Sequence, residues 1–61
     1  MKVREVISRL EVEGWYRLKG KRTGHRQFKH PEKLGKVTVP GNPGDELKPK
    51  TLASIYRQAG W

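Results

Sequence analysis

The sequence predicts a small α+β domain with the order α-β-β-β-α, in which both helices cover one face of a three-stranded antiparallel sheet. Two patterns indicate this fold: apolar residues recur at helical spacing near both ends of the chain, and they alternate with polar residues in the middle. The length of 61 residues limits the size of the core, because so short a chain buries only about 60% of the surface that its unfolded form exposes. We therefore expect a single domain over residues 1–61.

The two helices are predicted from apolar stripes. The first helix is expected over residues 2–13, ending at Gly14, and its stripe is Val3, Val6, Ile7 and Leu10. The second helix is expected over residues 49–59, since Pro49 suits a first helical turn and Gly60 suits a C-terminal stop. Its stripe is Leu52, Ile55, Tyr56 and Ala59. Neither helix is long enough to be stable alone, so each must pack against another surface.

Three short strands are predicted between the helices, over residues 15–19, 25–29 and 37–39. Their apolar positions follow period two: Tyr16 and Leu18, then Phe28, then Val37 and Val39. We expect turns over residues 20–24 and 31–35, and the segment Pro40-Gly41-Asn42-Pro43-Gly44 is typical of a crossover loop. Short connections favour an antiparallel meander, with one face covered by the helices and the other open to solvent.

Composition excludes several classes of function. The chain has no cysteine, which excludes disulfides and thiolate chemistry and is consistent with a reducing, cytoplasmic compartment. Its longest apolar runs are two residues, far short of the roughly 20 that a membrane helix needs, so we expect no membrane segment. The small core leaves no room for a cofactor, and we expect none. No His, Asp or Glu spacing is typical of a metal site, and we expect no metal.

Positive charge indicates the kind of partner. The net charge is +8, and residues 17–36 contain eight Lys or Arg against one acid, a local charge of +7. So concentrated a positive charge favours contact with the phosphates of a nucleic acid. The alternative is that these charges only keep the surface solvated, which would be the simpler explanation if the run of positive charges were shorter.

His25 is the candidate for chemistry. It has the strand parity of Gln27 and Lys29 and the opposite parity to Phe28, so we expect it on the open face. RNA cleavage without a metal needs a base for the 2′-OH proton, positive charge at the phosphorus and an acid for the 5′-oxygen, and histidine is suited to such proton transfer. The alternative is a histidine that only hydrogen-bonds phosphate. From the residues alone, both stay open.

Other residues are expected to have structural roles. His30 has the parity of Phe28 and precedes Pro31, so we expect it to end the strand and to hydrogen-bond in the following turn. Tyr16 and Tyr56 are expected on apolar faces rather than as stacking surfaces for bases. Neither possible position of Trp61, folded back over the second helix or free, is favoured by the sequence.

Three segments of the chain carry a resemblance to a known family. KVREVISRLEVEGW, TGHRQFKHPEKLGKVTVP and GDELKPKTLASIYRQAGW, in this order and over nearly the whole length, resemble the HicA (YcfA-like) mRNA interferase toxins. The resemblance implies a double-stranded-RNA-binding-domain-like fold and a ribosome-independent endoribonuclease that acts on mRNA, paired with a HicB-type antitoxin. The family's catalytic histidine follows a Gly-Ser/Thr pair and corresponds to His25, although here the order is Thr23-Gly24-His25.

The sequence-level hypothesis is thus a metal-independent endoribonuclease of a type II toxin–antitoxin module. Its catalytic residue would be His25, and the candidates for phosphate contacts are Lys21, Arg22, Arg26 and Lys29. Two alternatives remain: an RNA-binding module of the same fold that cleaves nothing, and a protein whose basic face only docks an acidic partner.

Overall fold

The computed structural model describes residues 1–19 and 25–61. Two helices, α1 (Val3–Val12) and α2 (Pro49–Ala59), flank three strands: β1 (Tyr16–Arg17), β2 (His25–Lys29) and β3 (Val37–Pro40). The strands form one antiparallel sheet in the order β1-β2-β3. The predicted α-β-β-β-α fold is therefore confirmed. The turn predicted over residues 20–24 lies outside the described residues.

Strand β3 extends one residue further than predicted, because Pro40 ends the strand rather than starting the loop. The N–H of Thr38 points away from β2 and donates to Oε1 of Gln58, at 2.9 Å. Amide directions alternate along a strand, so an N–H at position 40 would also point outward. A proline there loses no hydrogen bond of the ladder, which is why it is tolerated on this outer strand.

The core lies between the helices and one face of the sheet. Among the described residues, the helical stripes and the inward strand positions supply most of the buried hydrophobic side chains: Val3, Val6, Leu10, Trp15, Phe28, Val37, Val39, Leu47, Ile55 and Ala59. Full burial of a side chain of the size of Phe28 contributes about 1.5–3 kcal/mol. The alternation in β2 and β3 thus directs one face of the sheet into the core.

The start of β1 differs from the sequence prediction. Tyr16 pairs with Lys29 and is 50% exposed, whereas Trp15, one residue earlier, is only 3% exposed. The chain leaves α1 through Gly14, at φ +98°, and the N–H of Trp15 donates to the carbonyl of Leu10. This tight exit places Trp15 beneath α1, so that Trp15 and not Tyr16 faces the core. The prediction that Tyr16 lies on the apolar face of the sheet was therefore wrong.

The crossover loop completes the N-terminus of α1. The first N–H groups of a helix have no partner within the helix. Here the N–H of Val3 donates to the carbonyl of Asp45 at 2.9 Å, and that of Arg4 to the carbonyl of Pro43 at 3.0 Å. The loop that follows β3 therefore caps the N-terminus of α1 through backbone hydrogen bonds.

Glu13 joins the C-terminal ends of the two helices. Its carboxylate accepts hydrogen bonds from Nε1 of Trp61 at 2.7 Å and from Nε of Arg9 at 3.2 Å. The bond from Trp61 and then the charge and bond of Arg9 lower the pKa of Glu13 below its ordinary value. The guanidinium of Arg9 also lies 4.0 Å from the ring centroid of Trp61. Trp61, for which the sequence favoured no position, is thus folded against α1.

We predict that replacing Gly14 by alanine destabilises the fold more than the same replacement at Gly35. A Cβ on Gly14 would lie 3.0 Å from Nε2 of His30, in a backbone conformation that L side chains rarely adopt. Gly35 has a similar φ of +82°, but no atom lies within 4 Å of its Cβ position. We expect Gly35→Ala to lower the free energy of unfolding by about 1 kcal/mol and Gly14→Ala by clearly more. Urea denaturation measures both, and equal losses would show that the His30 contact is unimportant.

Candidate functional site

His25 begins β2 on the face of the sheet that the helices leave open. Along this strand His25, Gln27 and Lys29 are exposed, whereas Phe28 is fully buried on the opposite side. Its neighbour across the sheet is Pro40 at the end of β3. The orientation predicted for His25 is therefore confirmed, and its imidazole is accessible to a ligand.

Lys29 and Tyr16 form the other end of the same face. Lys29 is exposed, four residues from His25 and thus about 13 Å away along the strand. Tyr16 is its cross-strand partner and is half exposed. A cation and an aromatic ring therefore lie side by side on the face that carries His25.

Arg26 is separated from this group. It is paired with Val39 and shares the parity of Phe28, so its side chain leaves the strand on the opposite side from His25. Its Nη1 donates to the carbonyl of Gly41 at 2.8 Å, in a partly buried position. The structure therefore places Arg26 at the crossover loop and does not bring it together with His25 and Lys29.

Two of the predicted phosphate contacts, Lys21 and Arg22, lie outside the described residues. The same holds for Thr23 and Gly24, which form the family-like motif with His25. In the sequence these four residues directly precede His25, the first residue of β2.

An open groove of about 440 Å³ lies next to His25. The sheet contributes His25, Thr38 and Pro40 to it, and α2 contributes Lys50, Thr51, Ser54, Ile55 and Gln58. The groove thus places a histidine, a lysine and several hydroxyl groups around one concave surface. A polyanion with polar sugars could make both ionic and hydrogen-bonding contacts there.

The contribution of α2 to this site was not predicted from the sequence. The signal is present, because Lys50, Ser54 and Gln58 recur every four residues and so form a polar stripe beside the apolar one. A polar stripe on an amphipathic helix normally faces solvent, and the sequence alone did not indicate that it would face His25.

His30 has a structural role, as predicted. The N–H of Glu32 donates to its Nδ1 at 3.0 Å, so the ring proton is on Nε2, which donates to the carbonyl of Glu13 at 2.9 Å. The ring also packs edge to face against Trp15, with 5.3 Å between centroids. Both ring nitrogens are therefore engaged in holding the turn after β2 to the end of α1.

Residues 1–19 and 25–61 contain neither a cluster of metal ligands nor a membrane-spanning helix. No three His, Cys, Asp or Glu side chains of these ranges cluster in a way that could hold a metal ion. Neither helix of these ranges has the length and apolar character needed to cross a membrane.

The fold and this surface define a class: a small basic domain of order α-β-β-β-α that carries an accessible histidine at the start of its central strand. A family model described as the HicA toxin of bacterial toxin-antitoxin matches residues 3–61. The chain belongs to this family, so the resemblance seen in the sequence is confirmed. It is a toxin of a toxin–antitoxin module, and its partner is an antitoxin. No curated protein matches the chain.

Proposed function

We propose that this toxin is a metal-independent endoribonuclease that cleaves mRNA, with His25 as its general acid or base. The observation that supports the proposal most strongly is the position of His25. It is exposed on the open face, lines a groove, and lies in the stretch that carries +7 of the net charge. Substrate attraction and proton transfer would thus occur at the same place.

The proposed reaction is an internal transfer of the phosphodiester. A base removes the proton of the 2′-OH, the 2′-oxygen attacks the adjacent phosphorus, and a pentacovalent phosphorane forms. The bond to the 5′-oxygen then breaks as an acid protonates that oxygen, leaving a 2′,3′-cyclic phosphate and a free 5′-OH. An imidazole can perform either proton transfer near neutral pH, and lysine and arginine can stabilise the phosphorane without a metal or cofactor.

Lysine and arginine side chains would hold the RNA backbone. Lys29 lies on the face of His25 but about 13 Å from it, so it would contact a phosphate other than the one that is cleaved. Lys21 and Arg22 are proposed to hold phosphates nearer to His25, since they precede it in the chain. For Arg26, the bond to Gly41 favours a role in holding the crossover loop over a phosphate contact.

A second candidate function is an RNA-binding module of the same fold that cleaves nothing. The half-exposed ring of Tyr16 beside Lys29 favours it, because aromatic rings and cations together bind single strands by stacking and charge. The two functions share the surface and differ only in whether His25 transfers protons.

We further propose that the module is of type II, with a HicB-type protein antitoxin, and that it acts in the cytoplasm, where mRNA is the substrate. An antitoxin that presents acidic residues to the basic face would block RNA binding and cover His25 by a single contact.

The first test of this function replaces the histidine. Because His25 is exposed, His25→Ala should change the free energy of unfolding by no more than about 0.5 kcal/mol. Proton transfer by a positioned side chain contributes about 10²- to 10⁴-fold to a rate, so RNA cleavage in EDTA and growth arrest should be lost while RNA binding remains.

His30→Ala is the matched control. It removes a ring that holds Glu13 and Glu32, so it should lower stability but leave the cleavage rate per folded molecule unchanged. A folded His25→Ala protein that cleaves RNA at the wild-type rate would end the catalytic assignment and favour the binding module.

Salt dependence tests the phosphate contacts. The logarithm of the RNA affinity should fall linearly with the logarithm of salt concentration, with a slope of about −0.7 to −0.9 per phosphate contacted. The double variant Lys21→Ala/Arg22→Ala should have a shallower slope than the wild type, measured by fluorescence anisotropy with a labelled RNA. An unchanged slope would place the RNA elsewhere on the surface.

The proposed mode of inhibition predicts the footprint of the antitoxin. A structure of the complex should show the side chains of His25 and Lys29 covered by the antitoxin, and added RNA should no longer bind. If His25 and Lys29 stay as accessible in the complex as in the free toxin, inhibition is indirect.

A further inference from the structure

The wall of the groove that faces His25 carries an ordered set of polar groups. Lys50, Ser54 and Gln58 succeed one another along α2 at intervals of four residues, and all three line the groove. None of the three has a role in the proton transfers of the proposed reaction. Their arrangement shows which part of a substrate they can contact.

Hydrogen bonds fix the orientation of two of these groups. The backbone N–H of Thr38 donates to Oε1 of Gln58 at 2.9 Å, which directs Nε2 of the same amide toward Ser54. Nε2 donates to Oγ of Ser54, also at 2.9 Å. A hydroxyl that accepts a bond still has its own proton to donate. Within the described residues that proton has no protein acceptor, so it is available to a ligand in the groove.

Lys50 adds a positive charge one helical turn before Ser54. It is exposed, and none of the ion pairs between described residues involves it. An ammonium group and a hydroxyl donor on the same side of a helix are suited to the oxygens of a phosphate. These two groups alone do not select a particular phosphate. Because His25 lines the same groove, a phosphate held there would lie near the histidine proposed to cleave RNA.

The remaining surface of the groove is less polar. Pro40, which is partly exposed, contributes carbon surface to the groove, whereas Ile55 is fully buried at its base. The volume of about 440 Å³ is within the range of about 300–1,000 Å³ that is typical of small-molecule sites. The groove can therefore accept the sugar and base of one nucleotide as well as its phosphate.

We propose that this groove binds one nucleotide of the RNA strand next to the bond that His25 cleaves. Lys50 and the hydroxyl of Ser54 hold its phosphate, and its sugar and base lie against Pro40. Gln58 is a positioning residue, since it acts through Ser54. The inference rests on the proposed ribonuclease function and adds α2 to the substrate-binding surface.

Steady-state kinetics on a short single-stranded RNA tests the assignment. A hydrogen bond to a charged group is worth about 1.5–3 kcal/mol, so Lys50→Ala should raise KM by about tenfold to a hundredfold with little change in kcat. Ser54→Ala should act in the same direction, and Lys50→Arg and Ser54→Thr should restore KM because they keep the charge and the hydroxyl. Thermal unfolding of each variant separates these effects from loss of fold.

Lys48→Ala is the matched control. Lys48 is exposed, precedes α2 without capping it through its side chain, and does not line the groove, yet its loss removes the same charge. If Lys48→Ala raises KM as much as Lys50→Ala does, the effect is one of net charge and the assignment is overturned.

A binding measurement keeps this inference separate from the ribonuclease assignment. Adenosine 3′-monophosphate added to isotopically labelled His25→Ala protein should shift the amide NMR signals of Thr38, Ser54 and Gln58. Shifts confined to other parts of the chain, or none, would overturn the groove assignment even if His25 proves catalytic. If the expected shifts occur but wild-type protein cuts no RNA, the ribonuclease function fails and the nucleotide site stands.

Discussion

The structure depends on one constraint: the chain has enough apolar side chains to cover only one face of its sheet. Hydrophobic residues make up 33% of the sequence, and the buried ones among the described residues lie between the helices and the face that carries Phe28, Val37 and Val39. The other face must then remain polar and open. His25 and Lys29 lie on this open face and are accessible. The surface available for function is therefore a consequence of the small number of apolar side chains.

The two histidines show how strongly position determines the role of one residue type. His25 starts β2 on the open face, whereas His30 lies one residue beyond the end of the strand, at the parity of the buried Phe28. There both ring nitrogens of His30 bond to backbone groups, and Trp15 packs against its ring. The contact also requires Gly14, because a side chain at that position would crowd the ring. One histidine holds the fold together, and the other lies exposed on the open face of the sheet.

Helix α2 serves both stability and the candidate site. Its buried side, which includes Ile55 and Ala59, packs in the core. On another side of the helix, Gln58 accepts a hydrogen bond from the outward-pointing N–H of Thr38. An outer strand with unpaired amides is prone to pair with other chains, so this contact protects β3 as well as orienting Ser54. Covering the edge of the sheet thus brings a row of polar side chains to the groove that His25 lines. A structural requirement and the proposed nucleotide contacts are met by the same residues.

Local patterns were enough to predict both helices, strand β2 to the residue, and the outward orientation of His25, because periodicity along a short segment determines which side chains share a face. They also indicated the basic surface and, through three motifs, the toxin family. They failed where contacts between distant segments decide the outcome. Trp15 rather than Tyr16 is buried because of how the chain leaves α1, and Arg26 binds the Gly41 carbonyl fifteen residues away. The polar stripe of α2 faces His25 only because the helix packs along β3. Such contacts depend on the relative placement of whole elements, which no local spacing specifies.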